Sequence, residues 1–369
     1  MRIFLTSDAH LGMKFAGYPS TQGKLVEARF NALKRCIDVA NHKDCDLFAV
    51  GGDLFDRVSV AKGDIKQAAD ILNDFQGGLV AVLPGNHDFI TPRPDGLWAT
   101  FKGFASNRVL VLESKKIYPL KTYDLDANLY AAPCESKHSA KNSIQWIREI
   151  EKDRDVALHI GLAHGSLEGL SPDFNRDYYP MTEAELLACG LDLWLMGHTH
   201  IPYPTLPGAK SKIFYPGTPE PDGFDCDHEG KGLLIEIEKD KRITTNFVST
   251  GAYRFYHEET EIISWKDAEE ILARYSEPQH RNTLLKLTMK GRLPEDEYKK
   301  LGVFCSSLEK QLCFFQADLT GVTIKITPDV IDREFTEHSF PYRLLKQLAE
   351  IQDFEALQVA YELVQETRR

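Results

Sequence analysis

Five short apolar runs in this chain each end in a turn rich in aspartate, asparagine, histidine and glycine. Arg2-Ile3-Phe4-Leu5-Thr6-Ser7 leads into Asp8-Ala9-His10-Leu11-Gly12, and Asp46-Leu47-Phe48-Ala49-Val50 into Gly51-Gly52-Asp53-Leu54-Phe55-Asp56. Leu79-Val80-Ala81-Val82-Leu83 stops at Pro84 and enters Gly85-Asn86-His87-Asp88. The run over 156–163 ends at His164-Gly165-Ser166, and the run over 191–196 at Gly197-His198-Thr199-His200. Apolar runs of this length, bounded by breakers, read as buried strands. Helical spacing over 27–40 and 65–72 separates the first three. The result is the β-α-β-α-β order of a layered α/β domain. Such sheets bind ligands at the carboxyl ends of their strands, where all five turns lie.

Taken singly, each turn has a plain structural explanation, because Asn and Asp form turns through their own side chains. Together they supply Asp8, His10, Asp53, Asn86, His164, His198 and His200, all oxygen or nitrogen donors with no cysteine among them. That set is too large for one tetrahedral zinc site. It suits two divalent ions sharing a carboxylate. Mn²⁺ fits mixed carboxylate, amide and imidazole ligands, Mg²⁺ avoids so many imidazoles, and Fe²⁺ and Zn²⁺ stay open. Two ions about 3.5–4 Å apart clamp the attacking and leaving oxygens of a phosphoester displacement. Residues two apart in extended backbone face the same way. Asp8 and His10 are therefore expected to address one point, and His198 and His200 another, with Thr199 opposite. His138 is given no role, His159 is read as structural, and Trp194 as core.

From 93 to 155 the signal weakens, with strands expected near 109–112 and 128–132 and a helix over 143–150. Strands over 213–220, 232–237 and 242–248 would complete the sheet. Beyond about residue 250 the pattern reads as strand 252–257, helix 265–276, strand 283–290, helix 295–312, and strands 314–319 and 322–327. The chain turns helical from Ser339, with Ser339 and Asp353 as caps and Pro341 in a first turn. Phe354, Leu357, Ala360, Leu363 and Val364 form one apolar face. The expected domains are 1–250, an α+β domain at 251–338, and C-terminal helices at 339–369 that offer a partner surface.

The net charge of −11 argues against wholesale attraction to nucleic acid. It leaves room for a local basic groove from Lys14, Lys24, Arg29, Arg57, Lys62 and Arg93. Seven scattered cysteines without a CxxC point to reduced thiols. No run approaches the roughly 18 apolar residues of a membrane span, and the N-terminus turns polar too soon for a signal peptide. A cytoplasmic protein without a membrane partner is expected.

The series Asp8-x-His10, Gly52-Asp53-x-x-Asp56, Gly85-Asn86-His87-Asp88, Ala163-His164-Gly165 and Gly197-His198-x-His200 resembles the calcineurin-like metallophosphoesterases over residues 1 to about 250. The resemblance implies a four-layer α/β fold, a β-sandwich of two sheets flanked by helices. It implies Asp8, His10, Asp53 and His200 on one metal ion, and Asp53 (bridging), Asn86, His164 and His198 on the other. His87 would face the scissile phosphate as general acid or charge stabiliser, with Asp56 holding its imidazole. Arg57, beside them, is the candidate substrate-binding residue.

Within that superfamily the chain looks most like the SbcD-like DNA nucleases. The likeness rests on Asp8-Ala9-His10-Leu11-Gly12, Gly51-Gly52-Asp53-Leu54-Phe55-Asp56 and Tyr215-Pro216-Gly217-Thr218-Pro219-Glu220-Pro221 with Lys231-Gly232. The second domain, with Lys290-Gly291-Arg292-Leu293-Pro294 and Ser339-Phe340-Pro341-Tyr342-Arg343-Leu344-Leu345, resembles the capping region of that family's smaller bacterial members, which implies a smaller α+β C-terminal capping domain. This implies a Mn²⁺-dependent DNA exo/endonuclease of repair type, an SMC-like ATPase partner resembling SbcC, and a two-fold homodimer. Val58 after Arg57, where protein phosphatases carry Gly, weighs against that branch. One alternative is a small-molecule phosphodiesterase, for example on cyclic nucleotides. Another is a non-catalytic scaffold, against which the complete ligand set with His87 argues.

Overall fold

Ile3 and Leu5 face one side of the first strand and Phe4 the other, and all three are fully buried. A strand covered on both faces reads as an unbroken apolar run, which is why the sequence shows runs here and not alternation. In the computed structural model, residues 1–170, 173, 175–205 and 211–367 are described. They form two units, Met1–Phe255 and Tyr256–Arg369.

Among its described residues the first unit holds twelve strands: β1 (Arg2–Thr6), β2 (Leu47–Val50), β3 (Leu79–Val82), β4 (Val109–Val111), β5 (Ile117–Pro119), β6 (Ala127–Ala132), β7 (Leu158–His164), β8 (Leu193–Gly197), β9 (Pro202–Tyr203), β10 (Ile213–Pro216), β11 (Lys231–Ile237) and β12 (Ile243–Ser249). One sheet runs β12-β11-β1-β2-β3-β4 and the other β5-β6-β7-β8-β10-β9. Leu5, Ala49, Leu79, Ile160, Leu195 and Ile235 fill the space between the sheets. Phe4, Phe48 and Val80 pack outward under helices Gln22–His42, Lys62–Asn73 and Leu97–Lys102. On the far side, Tyr130, Trp194 and Tyr215 meet helices Gln145–Arg148 and Glu183–Ala188. The fold is thus mixed α/β, with two sheets back to back between helical layers.

Register then sets the site. Thr6 lies beside Val50, and Val50 beside Val82, in parallel pairing. The turns bearing Asp8, Asp53 and Asn86 therefore leave one edge together. In the second sheet His164 lies beside Gly197, so its two histidine turns also share an edge. The edges meet where Gly51 and Gly197 bring their backbones together, and a Cβ on either would strike the other strand.

Several short elements escape the sequence pattern. Helix Leu97–Lys102, strand β5 and helix Glu183–Ala188 are too short to show a period. The last is started by a capping box between Thr182 and Glu185, a signal present in the sequence.

The second unit holds β13 (Arg254–Ile262), β14 (Thr283–Leu293) and β15 (Phe314–Ile324), in the order β13-β14-β15. β14 and β15 are parallel. Helix Leu301–Gln311 crosses between them and buries Phe304 and Leu308 with Ile271, Leu285 and Leu287. The expected helix 295–312 is broken into Glu295–Tyr298 and Leu301–Gln311. The two expected strands at 314–319 and 322–327 are one strand, Phe314–Ile324, with a register shift between Thr288 and Lys290 opposite. Ser339 and Asp353 cap their helices as expected, accepting from Tyr342 N and Ala356 N. Helices Pro328–Glu334, Phe340–Glu350 and Phe354–Glu366 share a separate small core around Ile331, Leu345 and Leu357. The expected apolar face divides: Leu357 is buried, while Phe354 and Leu363 stay mostly exposed.

Candidate metal centre

Asp8, His10, Asp53, His198 and His200 all have positive φ, at 56°, 43°, 51°, 112° and 54°. The turns are therefore not extended: Asp8 and His10 do address one point, together with His200, but through left-handed turns, and the alternation expected for His198/His200 does not apply. Left-handed backbone at a residue with a Cβ costs on the order of 1–3 kcal/mol. Each of these residues turns sharply inward instead. His198 and His200 face different partners as a result.

Around the first group, His10 Nε2 lies 3.1 Å from His200 Nε2 and 3.8 Å from Asp53 Oδ2. His200 Nε2 lies 3.8 Å from Asp8 Oδ1. Around the second, His164 Nε2 is 2.9 Å from Asn86 Oδ1 and 3.3 Å from Asp53 Oδ2, and His198 Nδ1 is 3.2 Å from Asn86 Oδ1. Asp53 Oδ2 faces both groups. Its Oδ1 accepts the His87 backbone N–H at 2.8 Å. Asp8, His10, Asp53, Asn86 and His164 are almost wholly buried. All seven residues read from the strand ends thus converge on one place.

The imidazoles are aimed from outside. His200 Nδ1 is paired with Asp222 Oδ2 at 2.8 Å, and His164 Nδ1 donates to the Gly51 carbonyl at 2.9 Å. In each case Nε2 is left pointing inward, the arrangement that prepares a histidine for a metal. Two glycines make room. A Cβ on Gly52, whose φ is +106°, would fall on the His164 ring, and one on Gly85 would fall on the Asp53 carboxylate.

Charge tells the same story. Burial works against ionising Asp53, yet His164, His10 and His87 hold it well below the usual carboxylate range. Burial likewise opposes protonation of His164 and His200, but Asp53 raises the first, and Asp222 with Asp8 the second, to about 9. Burial, with His164 adding, drives His198 down to about 3, and burial also lowers His10. Burial and then Asp53 push Asp88 up to about 8. Asp88 serves the turn, accepting from the Phe55 and Gly85 backbones.

Carboxylates this buried need positive charge beside them. Divalent ions fit the donors present. Asp8, His10 and His200 offer atoms within 4.8 Å of one another, and so do Asp8, Asp53 and His164. The Nδ1 of His10 is buried with no hydrogen-bond partner among the described residues.

His87 stands beside the group, its ring edge-on to His10 at 4.8 Å. Its expected holder differs in detail. His87 Nδ1 bonds the Asp56 main-chain carbonyl at 3.0 Å, while the Asp56 carboxylate pairs with Arg57. Arg57 is exposed. Among the basic residues named from sequence, Arg29 is buried and bonds backbone carbonyls, so it cannot reach a ligand. Lys14, Lys24, Lys62 and Arg93 are exposed. His138 packs on Tyr178, His159 meets the Tyr130 hydroxyl at 3.0 Å, and Trp194 donates to the Leu186 carbonyl.

Asp222 and His228 were not legible as site residues. The strand expected over 213–220 ends at Pro216, and Asp222 lies beyond it, after Pro221, in a loop with Asp225 and Asp227. His228 Nε2 bonds the His200 carbonyl at 2.7 Å. Both line a cavity of about 320 Å³ with His198, His200 and Tyr178.

The family profile of calcineurin-like phosphoesterases matches residues 1–202. The chain belongs to that family. This calcineurin-like phosphoesterase is similar to the uncharacterized metallophosphoesterase YhaO of Bacillus subtilis, 26% identical over 223 residues, 57% of this chain and 51% of that protein. It is also similar to the DNA double-strand break repair protein Mre11 of Methanopyrus kandleri, 23% identical over 273 residues, 67% of this chain and 56% of that protein. The chain spans about half the length of these curated relatives. A crystal structure of Thermus thermophilus TT1561 aligns with 66% of this chain and 97% of its own, at a TM-score of 0.40 and 12% identity. Family members use divalent metals, and the donor groups above suit them. Among the described residues no helix is long and apolar enough to cross a membrane.

Proposed function

We propose that this phosphoesterase is a two-metal phosphodiesterase acting on DNA as an exo/endonuclease of repair type. The observation that carries it is Asp53, whose Oδ2 faces His10 on one side and His164 on the other. Asp8, His10, Asp53 and His200 would hold one ion, and Asp53, Asn86, His164 and His198 the second. The nitrogen-rich donor set favours Mn²⁺ over Mg²⁺. Bound ions would supply positive charge to the phosphoryl oxygens and ionise an attacking water at neutral pH.

The chain's own residues do the rest. A carbonyl only accepts, so His87 carries its proton on Nδ1, toward Asp56. Nε2 is then the atom that exchanges a proton at substrate. To serve as the acid His87 must carry a second proton on Nε2, which it gives to the departing oxygen as that oxygen's bond to phosphorus breaks, leaving the neutral imidazole with Nδ1–H still on the Asp56 carbonyl. Asp53, by accepting the His87 backbone N–H, ties the acid to the metal turn. Arg57, exposed beside Asp56, is available to a substrate phosphate.

DNA as substrate is supported by the sequence pattern and by the relative named for DNA double-strand break repair. The same reading gives an SMC-like ATPase partner docking on the C-terminal helices, with a homodimer as the assembly and the cytoplasm as its place of action. The test is cleavage of end-labelled single- and double-stranded DNA with Mn²⁺, with wild type beside His87→Ala and a cyclic nucleotide as control. DNA cleavage that the variant loses is expected. Inert DNA beside a hydrolysed cyclic nucleotide would keep the centre and replace the substrate.

A further inference from the structure

Arg29 lies on helix Gln22–His42 and is 1% exposed. Its guanidinium makes no side-chain salt bridge among the described residues and spends its donors mainly on backbone. Nε donates to the Ala9 carbonyl at 2.5 Å, and Nη2 to the Asp8 carbonyl at 3.1 Å and Thr218 Oγ1 at 3.4 Å. Nη1 donates to the Glu220 carbonyl at 3.2 Å. Thr218 Oγ1 in turn lies 2.9 Å from both the Asp8 and Glu220 carbonyls. One buried cation thus pins two turns together.

Both turns hold groups of the His10 and His200 side, and the Asp8 carboxylate also accepts the His198 backbone N–H at 3.0 Å. The first is the Asp8-Ala9-His10 turn, left-handed at both Asp8 and His10. The second runs from Gly217 to Asp222 and delivers the carboxylate that holds His200 Nδ1. It is anchored at its own end as well: Glu220 accepts from Arg35 and from the Ala252 and Tyr253 backbones. No hydrogen bond of Arg29 reaches the turns of Asn86, His164 or His198. Strained turns persist only where surroundings over-determine them, and a fixed planar fork of donors is suited to that task.

We infer that Arg29 is a positioning residue for one ion pocket, that of Asp8, His10 and His200, and not for the pocket of Asn86, His164 and His198. This rests on the two-ion reading above. It assigns the helix a role in metal loading that neither the ligands nor the substrate side requires.

The experiment titrates chelator-stripped protein with Mn²⁺, following bound ion by equilibrium dialysis and the paired-ion signal by electron paramagnetic resonance. Wild type, Arg29→Met and Arg29→Lys are compared. Arg29→Met is expected to keep one ion at wild-type affinity and to bind the other about 10- to 100-fold more weakly, the usual cost of an outer partner. The paired-ion signal should give way to that of an isolated ion, and Arg29→Lys should fall between. Adding His200→Asn to Arg29→Met should cost little more at that pocket, whereas adding His198→Asn should remove the remaining ion. If Arg29→Met does not fold, Thr218→Val decides by the same comparison, because it removes the hydroxyl that links Arg29 with the Asp8 and Glu220 carbonyls while leaving the guanidinium in place. Equal weakening of both ions, or of neither, in folded variant would overturn the inference. Wild type binding fewer than two ions would instead overturn the two-ion reading.

Discussion

His87 is held through the Asp56 backbone and not through the Asp56 side chain: Nδ1 meets the main-chain carbonyl at 3.0 Å while the carboxylate turns to Arg57. A backbone partner survives side-chain substitution. Asp56→Ala is therefore expected to lower kcat only a few-fold, against roughly two to four orders of magnitude for His87→Ala, the range of a general acid. Both should leave metal content nearly intact. Steady-state kinetics with metal analysis checks this. Equal losses for the two variants would restore the carboxylate as the holder.

Asp53→Ala is expected to lose metal and activity together. Its Oδ2 faces both histidine groups and its Oδ1 fixes the His87 turn. Removing one partner of a buried charge cluster costs about 3–5 kcal/mol, so the stripped variant should also melt differently from stripped wild type. Metal analysis and a thermal melt read both effects. Retention of two ions would contradict the bridging role.

Asp222→Ala should free His200 to turn and weaken metal binding about 10- to 100-fold. Asp222→Asn keeps an acceptor for Nδ1 and should recover part of that loss. Calorimetric titration with Mn²⁺ compares them. Matching wild-type affinity in both variants would mean that His200 needs no outer partner.

The placement of the ligands was legible because each sits at the end of an apolar run, and parallel register lines those ends up. How they converge was not legible. The period-two argument for Asp8 and His10 assumes extended backbone, and both residues are left-handed. Asp222 was hidden among loop acids, since its meaning depends on a histidine 22 positions earlier in the chain. Arg29 looked like a surface cation because its helical position alone does not reveal that its face meets two turns. The two strands expected at 314–319 and 322–327 are one, because the parallel partner β14 pairs along the whole length.

Gly52→Ala and Gly161→Ala separate site from scaffold. At Gly52 the backbone is left-handed and the new Cβ meets His164, so metal affinity should fall with stability. At Gly161 the Cβ meets the Trp194 ring on the sheet's outer side. Overpacking there should cost about 1–3 kcal/mol with both ions retained. Melting curves beside metal analysis distinguish the two, and a metal-depleted Gly161→Ala would show that the outer layer shapes the centre.

The most direct measurement of the central claim is phosphodiester turnover as Mn²⁺ is returned stepwise to chelator-stripped protein, with bis(p-nitrophenyl) phosphate as reporter. The account predicts no turnover without metal, activity that reaches its plateau only as the second ion binds, and His87→Ala loading both ions while turning over slowly. Full turnover in stripped protein, or a plateau after a single ion, would contradict it.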